Sequence, residues 1–214
     1  LCGSVAVVAS MIMGTAMAQQ TVAPLQGLDA TVEQVRSQFN VPGVAVAVVK
    51  DGQVILARGW GEREVGKPGK VDADTLFAIA SNTKAMTATA LSVLAEQGKL
   101  SLDDKVIDHL PWFRMGDAYV TREMTLRDLL VHRSGLGLGA GVLLSRPTAV
   151  YTTREVVQRL AHVPLSGGFR ERYAYDNILY GVAQLVIQDV SGQSFADFLQ
   201  QHLFTPAGMH STRF

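Results

Sequence analysis

Leu28, Val32, Val35 and Phe39 recur at helical spacing and form one apolar stripe, which predicts an amphipathic helix over Leu28 to Phe39. A dense Val/Ala run from Val41 to Val49 follows. Asp51-Gly52 then supplies a tight turn, and Gln53 to Arg58 returns as a second apolar run, so this stretch predicts a β-hairpin. Gly59 to Ala73 is polar and Gly-rich and reads as a loop leading away from the hairpin. Beyond Ser81 the apolar period becomes helical, first in Ala85 to Gln97, which is rich in Ala, Met and Leu. Polar caps mark later helix starts: Thr125 ahead of Leu126, Leu129 and Leu130, Thr153 ahead of Val156, Val157 and Leu160, and Ser194 ahead of Phe195, Phe198 and Leu199. The pattern predicts an α/β (α+β) fold, with a strand-bearing part over residues 19–80 and a mainly helical part over 81–214.

Residues Leu1 to Ala18 depart from this pattern, being uncharged and apolar and ending in Ala16-Met17-Ala18. Small residues at the first and third positions of that triplet suit signal peptidase, so a cleaved signal and an exported protein, periplasmic or secreted, are expected. A membrane anchor or a buried helix is the competing reading, weakened by Gly3, Ser4, Ser10, Gly14 and Thr15. No stable membrane span is expected once the signal is removed.

Charge and cysteine content narrow the function classes. Nineteen basic and 19 acidic residues give a formal net charge of zero, which argues against a nucleic-acid partner. The single cysteine, Cys2, excludes an internal disulfide framework and a Cys-rich zinc site. His109, His162, His202 and His210 share no ligand-like spacing, and no metal or cofactor is implied. Trp60 and Trp112 read as packing residues.

The candidate chemistry begins at Ser81-Asn82-Thr83-Lys84, where a hydroxyl and an amine three residues apart stand at the start of a helical pattern. Positions i and i+3 share a helix face, so Lys84 is placed to activate Ser81 as a nucleophile. Composition alone can produce this tetrad, and a plain N-cap serine beside a solvated lysine is the competing reading. Tyr175-Asp176-Asn177 makes the pattern more specific. A phenol ionises near pH ~10, but a nearby ammonium favours its phenolate and lets it serve as a base closer to neutrality. Asn177 offers an amide donor and a carbonyl acceptor, suited to bridging Lys84 and a substrate carbonyl. Tyr173 is the competing base if the register slips.

With both motifs in hand, the chain resembles the penicillin-recognising serine hydrolases: class C β-lactamases, related esterases and D-amino-acid-specific peptidases. Leu129 to Leu136, containing His132-Arg133-Ser134-Gly135, is similar to that family's helix-to-loop segment, and Pro206-Ala207-Gly208-Met209 is similar to its Pro-Leu-Gly-Met turn. The resemblance implies a β-lactamase/transpeptidase-like fold, an antiparallel sheet with flanking helices plus an all-helical subdomain. It implies that Ser81 is acylated, that Lys84 activates it, that Tyr175 is general base and then acid, and that Asn177 orients Lys84 and substrate. His132 is expected to hold its turn rather than to do chemistry. The expected partner is a small-molecule or short-peptide substrate: an ester, a β-lactam or a D-amino-acid amide.

The family's third motif, a Lys or His followed by a small residue and Gly on a later strand, has no counterpart after Tyr175. Lys67-Pro68-Gly69 precedes Ser81, and its proline lacks the N–H that a central strand requires. An incomplete sheet, a C-terminally truncated chain and an inactive fragment of an active parent are therefore expected. A noncatalytic, degenerate member acting as a binding or scaffold protein is the alternative of a different class. An α/β-hydrolase is disfavoured, because the chain contains no Gly-x-Ser-x-Gly elbow.

Overall fold

A computed structural model describes residues 25–145 and 150–214. The expected signal segment lies outside the described residues. Along the sequence the chain divides into two compact units, with the boundary between Leu76 and Phe77.

In the first unit, helix α1 (Leu28–Gln38) is followed by strands β1 (Gly43–Lys50) and β2 (Gln53–Gly61). The strands pair antiparallel, from Gly43 opposite Gly61 to Lys50 opposite Gln53, with a register shift between Val48 and Val49. Asp51 and Gly52 both have positive φ, 52° and 74°, as a two-residue hairpin turn that follows strand twist requires. Asp29 on α1 accepts hydrogen bonds from Arg58 Nη1 (3.0 Å) and Trp60 Nε1 (3.1 Å) of β2, so the helix is tied to the hairpin through one carboxylate. Trp60 and Val71 are buried.

The segment after β2 differs from the sequence expectation. Instead of leaving the hairpin it folds back on it: Glu62 bridges Lys70, and Val71 N–H donates to the Gly61 carbonyl. Gly59 permits this return, since a Cβ there would lie 2.4 Å from the Val71 carbonyl group. Among the described residues the sheet has these two strands and is not closed.

The second unit is helical. Its main elements are α2 (Thr83–Glu96), α3 (Val106–His109), α4 (Ala118–Glu123), α5 (Leu126–Leu130), α6 (Thr153–Gln158), α7 (Ile178–Ser191) and α8 (Phe195–Leu199). Helix α7 is central, packing against α2, α5, α6 and α8. Leu179, Val182, Ala183, Val186 and Ile187 of α7 are fully buried, as are Leu91 and Leu94 of α2. Burying each large aliphatic side chain contributes about 1.5–3 kcal/mol, so the α2–α7 pairing is a stable platform for residues at the starts of both helices. Helix α7 ends at Gly192, in the left-handed conformation (φ 69°) that favours glycine at this position.

Thr125 caps α5 by accepting from Asp128 N–H, and Ser194 caps α8 by accepting from Asp197 N–H. The cap of α6 is Thr152 rather than Thr153, because Glu155 stands three residues after Thr152 and returns a bond to its backbone N–H, closing a capping box. Among the described residues no helix is long and apolar enough to cross a membrane.

Candidate active site

Ser81 lies in a short 3-10 turn, Ala80–Asn82, that leads into α2. Asn82, not Ser81, occupies the cap position of α2, so the hydroxyl of Ser81 is not used as an N-cap. The turn is held from its far side: both the backbone N–H and the side-chain Nδ2 of Asn82 donate to the Ile79 carbonyl at 3.0 Å. Ala80, directly before the serine, has φ of +43°. That region costs a non-glycine residue about 1 kcal/mol or more and persists where the surroundings enforce it.

Three residues on, in the first turn of α2, Lys84 Nζ donates to Ser81 Oγ at 3.2 Å and to Asn177 Oδ1 at 2.6 Å. Ser81 Oγ and Tyr175 Oη share a hydrogen bond of 2.6 Å. Lys84 Nζ also lies 4.7 Å from the Tyr175 ring centroid and 5.1 Å from that of Tyr180. The structure thus brings Ser81, Lys84, Tyr175 and Asn177 into one hydrogen-bonded group. Tyr173 does not join it; its side chain is exposed and meets the edge of His132.

The electrostatics follow from this packing. The Lys84 amine, and then the Ser81 hydroxyl, hold the Tyr175 phenol below the ordinary tyrosine range. Tyr180 moves the other way, because burial penalises its phenolate. Tyr180 Oη instead donates to the Leu130 carbonyl at 2.9 Å. Of the two tyrosines facing Lys84, only Tyr175 is therefore tuned towards ionisation.

A cleft of about 310 Å³ opens over the group, with Ala80, Ser81, Lys84, Val142, Asn177 and Tyr180 in its wall. Val142 and Asn177 also border a smaller recess of about 210 Å³ that is otherwise largely apolar, with Tyr151, Val156, Val157 and Ile178 among its lining residues. Sequence reasoning missed this recess, whose walls come from separate parts of the chain. It also gave no role to Asp176, which is fully buried, accepts the Leu179 N–H on Oδ1 at 3.2 Å, and is pushed up to about 6 by burial. Among the described residues no group of three or more His, Cys, Asp or Glu side chains is arranged to hold a metal ion.

The sequence pattern of the Beta-lactamase family matches residues 28–214, a span that contains all four grouped side chains. The chain belongs to the Beta-lactamase family. Among curated relatives of this Beta-lactamase-family chain, Protein flp of Staphylococcus aureus (strain MW2) is 32% identical over 194 residues, covering 88% of this chain and 38% of flp. The octameric penicillin-binding protein homologue from Pyrococcus abyssi superposes with a TM-score of 0.73 at 28% identity, covering 86% of this chain and 43% of that one. EstCE1, a hydrolase with promiscuous acyltransferase activity, superposes with a TM-score of 0.74 at 25% identity, covering 87% of this chain and 53% of that one. The fold is thus β-lactamase/transpeptidase-like, and this Beta-lactamase-family chain spans 38% of the length of Protein flp.

Proposed function

We propose that the protein is a serine hydrolase that works through an acyl-enzyme on Ser81. The observation that carries this reading is the hydrogen-bonded set Tyr175–Ser81–Lys84–Asn177 at 2.6, 3.2 and 2.6 Å, in which a hydroxyl meets a phenol and an amine at once. Tyr175 takes the proton of Ser81 Oγ as the oxygen attacks the acyl carbon, and returns it to the departing alcohol or amine. Water then attacks the acyl-enzyme, giving its proton to Tyr175, and Ser81 leaves reprotonated. Lys84 keeps the phenolate stable and the Ser81 hydroxyl oriented, while Asn177 fixes Lys84 through its Oδ1 and presents its amide to the substrate. The backbone N–H of Ser81 serves as one oxyanion donor.

The substrate class proposed is an ester, a β-lactam or a D-amino-acid amide, each of which presents an acyl carbon to the same oxygen. Membership of the Beta-lactamase family and the likeness to EstCE1 support this class. Export is proposed from residues 1–18 on sequence alone. Turnover of nitrophenyl esters, nitrocefin and D-alanyl peptides by the full-length protein, each repeated with Ser81→Ala, tests the reading. Activity on at least one of them that disappears in the variant is expected; activity that survives Ser81→Ala contradicts it.

A further inference from the structure

His132 grips the backbone on both sides of Tyr175. Its main-chain carbonyl accepts the Ala174 N–H at 2.8 Å, and its ring Nδ1 accepts the Asp176 N–H at 3.3 Å. The Tyr175 carbonyl between them accepts the Gly139 N–H at 2.8 Å. The His132 ring also lies against the Tyr175 ring, with centroids 4.3 Å apart and planes 32° from parallel. Residue 132 follows α5 in the left-handed region, φ 56°, and its side chain is buried.

We infer that His132 is a positioning residue for Tyr175, and that it does so only as the neutral imidazole carrying its proton on Nε2. The inference rests on the reading of Tyr175 as general base. A proton on Nδ1 turns the acceptor of the Asp176 N–H into a second donor, and a buried backbone N–H loses its partner. Tyr175 then keeps only one of the two bonds that fix its neighbours. The 2.6 Å contact between its Oη and Ser81 is sensitive to that freedom, since a displacement of 1 Å at reacting groups can cost about 10²-fold in rate.

The surroundings favour the neutral ring. The groups facing it are Lys84 of α2, Tyr173, Tyr175 and Asp176 of the preceding loop, and Tyr180 of α7. Burial, and then Lys84, lower the imidazole's proton affinity. The one carboxyl among these groups, Asp176, has its Oδ2 3.9 Å from Nδ1, beyond hydrogen-bonding reach.

Two variants separate the acceptor from the backbone requirement. His132→Asn tolerates the left-handed conformation and sets Oδ1 where Nδ1 stood, whereas His132→Gly tolerates the conformation and has no acceptor. In the full-length protein, the Gly variant is expected to lose at least about tenfold in kcat with KM within about twofold, and the Asn variant to recover most of that loss. Equal kcat in the two variants, or a loss confined to KM, overturns the positioning role. Long-range proton–nitrogen NMR of the 15N-histidine-labelled wild type needs no variant to fold and no turnover. A ring protonated on Nε2 at pH 7.5 supports the inference; a ring protonated on Nδ1 overturns it. Wild type whose Ser81 accepts no fluorophosphonate overturns the hydrolase reading and the role with it, whereas labelled wild type with equal variants overturns the positioning role alone.

Discussion

Tyr175 Oη lies 2.6 Å from Ser81 Oγ although 94 positions separate the two residues in sequence. Each stands just ahead of a helix with a buried face, Ser81 before α2 and Tyr175 before α7, and these helices pack on one another. The contact is therefore a product of the core: pairing two apolar helix faces carries the residues at their starts together. Lys84 ties the two helix starts together, donating to Ser81 Oγ ahead of α2 and to Asn177 Oδ1 at the start of α7.

Removing the phenol hydroxyl takes away the proposed base and leaves the ring that stacks on His132. Tyr175→Phe is expected to lower kcat by about 10²–10⁴-fold, the usual worth of a general acid–base group, with melting temperature nearly unchanged. Steady-state kinetics beside thermal melts check this.

Because Lys84 and Ser81 lower the Tyr175 pKa, activity should rise with pH through an apparent pKa below the ordinary phenol value near 10. Lys84→Met removes the main cause. The rising limb should then move to higher pH, and the maximum rate should also fall, because Ser81 and Asn177 lose a shared donor. A pH profile of kcat/KM for both proteins reads this, and an unmoved limb contradicts the role given to Lys84.

Asp176 supplies a stability test with an unusual sign. Burial raises its pKa from 3.8 to about 6, so the folded state holds a proton that the unfolded state has released. The associated stability is complete below pH ~3.8 and is lost as the pH rises through about 6. At 1.36 kcal/mol per pKa unit, the difference of about 2.2 is worth roughly 3 kcal/mol. Asp176→Asn keeps the acceptor for Leu179 N–H and cannot ionise. Denaturant titrations should find the variant more stable than wild type at pH 8, with the gap closing towards pH 4.

Asp128 behaves in the opposite way. Burial acts to raise its pKa, but hydrogen bonds from Arg170 and from the Thr125 backbone and hydroxyl outweigh this and lower it. Its contribution is present above the unfolded value and is lost as the pH falls through the folded one. Asp128→Asn weakens the Arg170 pairing (3.0 Å to Oδ1) and the capping box of α5. Breaking a wholly buried pair costs about 3–5 kcal/mol, but Arg170 is 37% exposed, so roughly 1.5–3 kcal/mol is expected. For a chain of this size that is a fall of roughly 3–12 °C in Tm, measurable by calorimetry at neutral pH.

Local signals in the sequence were the most readable. Asp51-Gly52 marked the hairpin turn, Thr125 and Ser194 marked their helices, and the spacing of Ser81 and Lys84 placed them one turn apart. The return of residues 62–71 onto the hairpin was not legible, because it depends on a pairing between Glu62 and Lys70 and on the close approach of Val71 to Gly59. Thr153 was a plausible cap until its neighbour Thr152 gained Glu155 as a reciprocal partner. His132 could be read as holding a turn. Its grip on Ala174 and Asp176 depends on a left-handed backbone and on bonds spanning more than forty residues, which no short sequence window records.

The most direct measurement is covalent. The full-length protein incubated with a fluorophosphonate probe, digested and analysed by mass spectrometry should carry one adduct, on the peptide containing Ser81, and Tyr175→Phe should form it at least about 10²-fold more slowly. An adduct on another residue, or none on Ser81 under conditions that label a control serine hydrolase, contradicts Ser81 as the nucleophile.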